Sequence, residues 1–164
     1  MTQKYRLASV LEMRRKLERE AARTVAARRI QVLEAEAELV RRAEAIAACI
    51  ARITVTREQM FEQARGGAEA YRLVEFRTHL SDLKRIEGEL VVAHQQQQVA
   101  LTRAETDLDK AIAALNEARK QSKILEKHRE SWKARVDHER QQQEQKINEE
   151  ISVVLYERRR RHAS

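Results

Sequence analysis

Proline is absent from this 164-residue chain, so no ring clash or missing N–H forces a helix to break. Glycine occurs three times, at Gly66, Gly67 and Gly88, and only the adjacent pair offers an obvious interruption. Aromatic residues make up 4% of the chain and charged residues 36%, too few large side chains for an ordinary compact core. The single cysteine, Cys49, has no partner for a disulfide and cannot build a thiolate metal cage, and it reads as a buried structural thiol. No stretch approaches the roughly 20 apolar residues that span a bilayer, and no apolar signal core precedes a cleavage site. The expectation is a cytoplasmic chain.

What is present is long helical periodicity. Leu83, Leu90, Leu101, Ala104, Leu108, Ala111, Leu115, Ala118, Leu125, Trp132 and Val136 keep a 3.5-residue spacing that needs a second helix to cover it. An earlier, alanine-padded series runs Leu7, Leu11, Leu17, Ala21, Val25, Val32, Leu39, Ala43, Ile46, Ile50, Ile53 and Met60. Gly66 and Gly67 fall between the two, where a left-handed glycine ends a helix. The predicted fold is all-α. A helix over about 5–64, a turn at about 65–69 and a longer helix over about 70–160 form an antiparallel coiled-coil hairpin in a single domain, because closing a short loop costs less than recruiting a second molecule. At about 1.5 Å per residue the second helix outruns the first by tens of ångströms. It leaves the stripe Ile147, Ile151 and Val154 without a first-arm partner. His94 and Gln97 occupy seam positions where leucine would normally sit and weaken the seam locally.

Catalytic patterns are missing: no phosphate-cradling glycine loop, no nucleophile elbow, no histidine pair flanking a glutamate. His79, His94, His128, His138 and His162 are scattered, and the carboxylates are interspersed with arginines as in solvated i,i+4 pairs. The chain reads as non-enzymatic, with no cofactor and no metal.

Formal net charge is +7, and basic residues gather at Arg14, Arg15 and Lys16 and again at Arg158, Arg159, Arg160 and Arg161, the last four within a basic tail over 158–164. An antiparallel hairpin carries both groups toward one end. Such charge suits phosphate, anionic lipid or an acidic protein surface equally. The base-reading asparagine among dense arginines that leucine-zipper proteins carry is missing, so no specific nucleic-acid reader is expected.

Three stretches taken in order resemble the FliJ/YscO family, the stalk proteins of flagellar and virulence type III secretion ATPases. Tyr5 to Leu11, followed by Arg14, Glu18, Ala21 and Ala22, looks like the family's opening helix. Tyr71, Leu73, Phe76, Leu80 and Leu83 resemble the aromatic and leucine segment that begins its second helix. Glu139 and Lys146 to Glu150 resemble its closing charged stretch, with Asn148 where aspartate is common. The resemblance implies a stalk that inserts its terminal end into a hexameric export ATPase and meets the export gate, or secretion chaperones, through its mid-chain segment. It implies a location peripheral to an inner-membrane export apparatus. On that reading Leu7, Leu11, Arg14, Arg15, Ile151, Val154, Leu155, Tyr156, Arg158, Arg159, Arg160 and Arg161 contact the ATPase. Phe76, Leu80 and Leu83, at i, i+4 and i+7, form either a gate or chaperone patch or part of the seam. The alternative is a generic cytoplasmic coiled-coil tether whose basic tail contacts nucleic acid or membrane.

Overall fold

Uninterrupted helical periodicity on either side of the glycine pair condenses into two helices, α1 (Ala8–Arg65) and α2 (Ala70–His162). The computed structural model describes residues 4–162, without the side chains of Arg160 and His162. The described residues contain no strand, and the fold is an all-α helical hairpin. α1 begins at Ala8 rather than near residue 5. Tyr5 stands in the entering turn, where its carbonyl accepts the Ala8 N–H at 3.2 Å while its ring is buried.

The reversal is a Schellman cap. The N–H of Ala68 donates to the Gln63 carbonyl at 3.0 Å and that of Gly67 to the Ala64 carbonyl at 3.3 Å, satisfying carbonyls that the end of α1 would leave unpaired. Gly67 adopts φ 77°, the left-handed conformation that glycine reaches without a Cβ penalty.

Contacts divide the chain into two units, Ala22–Ala113 and Met1–Ala21 with Ala114–Ser164. In the first, Arg28 faces Asp107, Gln97 reaches the Ala35 carbonyl, Arg42 that of Ala93, and Cys49 that of Leu83. Partner numbers fall as α1 advances, so the two helical segments of this unit run antiparallel. Cys49, Ile53 and Leu83 form its core cluster, with Leu80 and Leu90 packed against them. Cys49 is buried, as its isolation in the sequence suggests. In the other unit, Arg15 meets Glu126 and Glu18 meets Arg119 in the same antiparallel sense, over buried Leu11 and Leu115.

Every residue of the α2 series from Leu83 to Val136 is buried or half-buried, as the spacing predicts. The α1 seam differs from the sequence reading. It advances in strict steps of three and four from Leu11 through Arg14, Glu18, Ala21, Val25, Arg28, Val32, Ala35, Leu39, Arg42, Ile46, Cys49, Ile53 and Thr56 to Met60. Leu7, Leu17, Ala43 and Ile50, expected inside, are exposed. Arginine at 14, 28 and 42 alternates with small Ala21, Ala35 and Cys49, which leave room for the long stems to lie along the seam while their charged heads reach its rim.

Candidate functional site

The entering turn is pinned to α2 by an aromatic cluster. The Tyr5 hydroxyl lies 2.8 Å from His128 Nδ1, and its ring centroid is 5.3 Å from that of Trp132, tilted by 49°. Such tilted ring pairs contribute about 0.5–1.5 kcal/mol beyond the area they bury. Beside them lies a cavity of about 680 Å³ lined by Lys4, Tyr5, Arg6, Leu7, His128 and Trp132. Leu7 is exposed there and available to a partner. Leu11, expected to touch the ATPase, is only 3% exposed: its apolar side chain is consumed by packing. Arg14 lies half-buried in the seam, and Arg15 is engaged with Glu126 at 2.8 Å.

From Asp137 onward α2 continues without a packing partner among the described residues. Every side chain described between 137 and 161 is exposed, including Ile147, Ile151, Val154, Leu155 and Tyr156. Ile147, Ile151, Val154 and Leu155 recur at i, i+4, i+7 and i+8, one stripe of the helix, and Arg158 extends it by a turn. Arg159 and Arg161 are exposed as well, whereas the Arg160 side chain lies outside the described residues. The two basic groups do not converge. At about 1.5 Å per residue, roughly 48 Å of helix separates Glu126, where Arg15 docks, from Arg158. The unpartnered helix end is therefore a surface of its own.

Near the turn, Phe76 is half-buried and lines a cavity of about 380 Å³ with Gln63, Arg72, Glu75 and His79. Leu80 is half-buried against the Cys49 cluster. Leu83, 3% exposed, belongs to that cluster, so the alternative of seam packing holds for it and an exposed contact does not. Exposed Phe61, Tyr71 and Val74 add apolar surface in this part of the chain that the sequence reading left out. Their helical phase lies off the seam, which was the available signal.

Along the middle of α1, Arg42 donates to Glu38 at 2.9 Å and Arg41 at 2.6 Å. These hydrogen bonds, first from Arg42 and then from Arg41, hold the Glu38 carboxyl below the usual carboxylate range. Arg28 and Arg42 are absent from the apolar pattern of the sequence, and Arg14 figures in the sequence reading only as a surface contact. The strict three-four spacing from Leu11 to Met60 lands on them. Among the described residues no group of three or more His, Cys, Asp or Glu is placed to hold a metal ion, and no helix is long and apolar enough to cross a membrane.

The YscO-like protein family matches this chain over residues 2–162. Among solved structures, that of a candidate YscO homolog from Chlamydia trachomatis is similar, with a TM-score of 0.77 and 19% identity over 95% of this chain and 96% of that one. The likeness extends the hairpin fold to that protein. No curated protein sequence matches.

Proposed function

The chain belongs to the YscO-like family of type III secretion-associated proteins, and from that premise we propose that it is a non-enzymatic stalk of the export apparatus. Its unpartnered helix end engages a hexameric export ATPase. Ile151, Val154 and Leu155 supply apolar contact, with Tyr156 beside them, and Arg158, Arg159, Arg160 and Arg161 steer the encounter with an acidic socket. Leu7, beside the Tyr5 cavity, extends the contact. Phe76 and Leu80, at the cavity near the turn, meet the export gate or a secretion chaperone. The protein works in the cytoplasm, peripheral to the inner-membrane apparatus, and needs no cofactor.

One observation carries this reading: α2 extends past its last half-buried residue, Val136, and presents an ordered apolar stripe to solvent. A helix that buries none of its apolar stripe needs a partner to remain economical in water. The test is co-purification of the full chain with the export ATPase from the same apparatus, together with stimulation of ATP hydrolysis. Ile151→Asp with Leu155→Asp should abolish both while leaving helix content and melting unchanged, since neither residue packs on α1. Stimulation that survives removal of residues 147–164 would overturn the assignment. So would a tail that binds anionic vesicles and not the ATPase.

A further inference from the structure

α1 carries two heptad seams, and the hairpin uses one. On its outer face Ala26, Ile30, Leu33, Ala37 and Val40 follow steps of four and three and are all exposed, Leu33 at 63%. After Glu44 the same phase continues as Ala47 and Ala51. In a 3.5-residue repeat this stripe lies about 150° round the helix from the α2 seam, so α2 does not obstruct it. Isolated exposed apolar residues need no explanation, but a phase-locked stripe of five does.

We propose that this stripe is a homodimer interface at which two copies of the chain pair α1 with α1, parallel and in register. The residue types name the occupant. Read as a coiled-coil seam, Ile30 and Ala37 stand at a positions and Leu33 and Val40 at d. A β-branched residue at a with leucine at d favours two parallel strands. The flanks fix the orientation. Arg29 and Glu36 fall at g, Glu34 and Arg41 at e. In a parallel pair each g residue faces the e residue five positions on in the partner, which sets Arg29 against Glu34 and Glu36 against Arg41 of the other copy. Symmetry doubles both attractions. Arg29, Glu34 and Glu36 are exposed, and Arg41, now held by Glu38, is mostly exposed and can exchange partners. Because α1 is already ordered by α2, association costs little helix formation. The alanine layers and Glu44 at an a position keep the contact modest, a reversible dimer rather than an obligate one. The inference stands apart from the stalk reading, since it rests on α1 between Ala26 and Ala51 alone.

Sedimentation equilibrium of the full chain from about 1 to 200 μM brackets the affinity expected of a small interface. The mass should rise from 19.2 kDa toward twice that value. Leu33→Asp should hold it at the single-chain value with unchanged helix content and melting temperature in dilute solution. Glu44→Leu should tighten the dimer at least tenfold by joining the two halves of the stripe. Orientation is read by Ala37→Cys, which meets its own counterpart only in a parallel register and should oxidise to a linked dimer, while the parent, whose Cys49 is buried, should not. Arg29→Glu and Glu34→Arg should each weaken self-association, and mixing the two should restore it. A parent chain of single-chain mass throughout overturns the proposal, as does a dimer that survives Leu33→Asp. A linked dimer on mixing Leu33→Cys with Ala37→Cys, with none from either variant alone, overturns the parallel orientation.

Discussion

Arg42 crosses the seam and donates to the main-chain carbonyl of Ala93 at 2.6 Å, while its Nε holds Glu38 on its own helix. Gln97 returns the gesture to the Ala35 carbonyl at 3.0 Å, and the Cys49 thiol reaches the Leu83 carbonyl at 3.5 Å. These contacts tie side chains to fixed points on the opposite backbone, so they specify register where apolar packing alone would tolerate a slide of one heptad. Arg42→Ala should cost about 1–2 kcal/mol, the worth of a hydrogen bond from a charged group that stays partly hydrated. Arg42→Met should recover most of that loss by filling the seam, yet broaden the distance between spin labels at Val32 and Arg103. Urea unfolding and pulsed spin-label measurements separate the two effects.

The adjacent glycines should respond oppositely. A Cβ on Gly67 would meet nothing within 4 Å, but φ 77° strains any L side chain, so Gly67→Ala should lose about 1 kcal/mol. A Cβ on Gly66 would make only ordinary contacts, at 3.5 Å and beyond, and its φ is not in the left-handed region. Gly66→Ala should be neutral or stabilise by about 0.5 kcal/mol. Melting curves of the two single variants decide the matter.

Leu83→Ala should cost about 2–5 kcal/mol, because Cys49 and Ile53 cannot close over the space it leaves. Phe76→Ala, at a half-buried position lining an open cavity, should cost less than half as much and act chiefly on gate or chaperone binding. Equal destabilisation by the two would place Phe76 in the seam and remove it from the contact surface.

Tyr5→Phe removes the hydroxyl that meets His128 and should cost about 1 kcal/mol. Trp132→Ala removes the ring against which Tyr5 packs and should free the entering turn, for a loss of about 2–3 kcal/mol. Hydrogen exchange should then rise in the first turns of α1 and remain unchanged around Cys49.

Acid should act through Glu38. Its carboxyl is held below its ordinary value of 4.5 when folded, so its stabilising contribution is fully present well above that value and disappears as pH falls through the folded one. Melting temperatures of the parent and Glu38→Gln, measured from pH 7 to pH 3, should differ most near neutrality and converge at the acid end. A difference that persists at pH 3 would mean that the carboxylate is not its source.

The two helices, their glycine reversal and the α2 seam were all legible in the sequence, because each rests on local chemistry: no proline, one glycine pair, and apolar residues in a single phase from Leu83 to Val136, interrupted by His94 and Gln97. The exposed stripe at Ile147, Ile151 and Val154 was legible too, from the unequal lengths of the arms. The seam of α1 was legible only in part: Leu11, Ala21, Val25, Val32, Leu39, Ile46, Ile53 and Met60 lie on it, whereas Leu7, Leu17, Ala43 and Ile50 do not. Its alanines, valines and isoleucines occupy two phases of the same heptad, and a local pattern carries no information about which phase meets a partner. Only the opposite helix decides, by offering Asp107 to Arg28 and the Ala93 carbonyl to Arg42, and it turns Leu17 and Ile50 outward as a result. Burial of Leu11 and Leu83 was settled in the same way. Whether an apolar side chain is core or contact depends on what lies across from it, and that is a property of the folded pair.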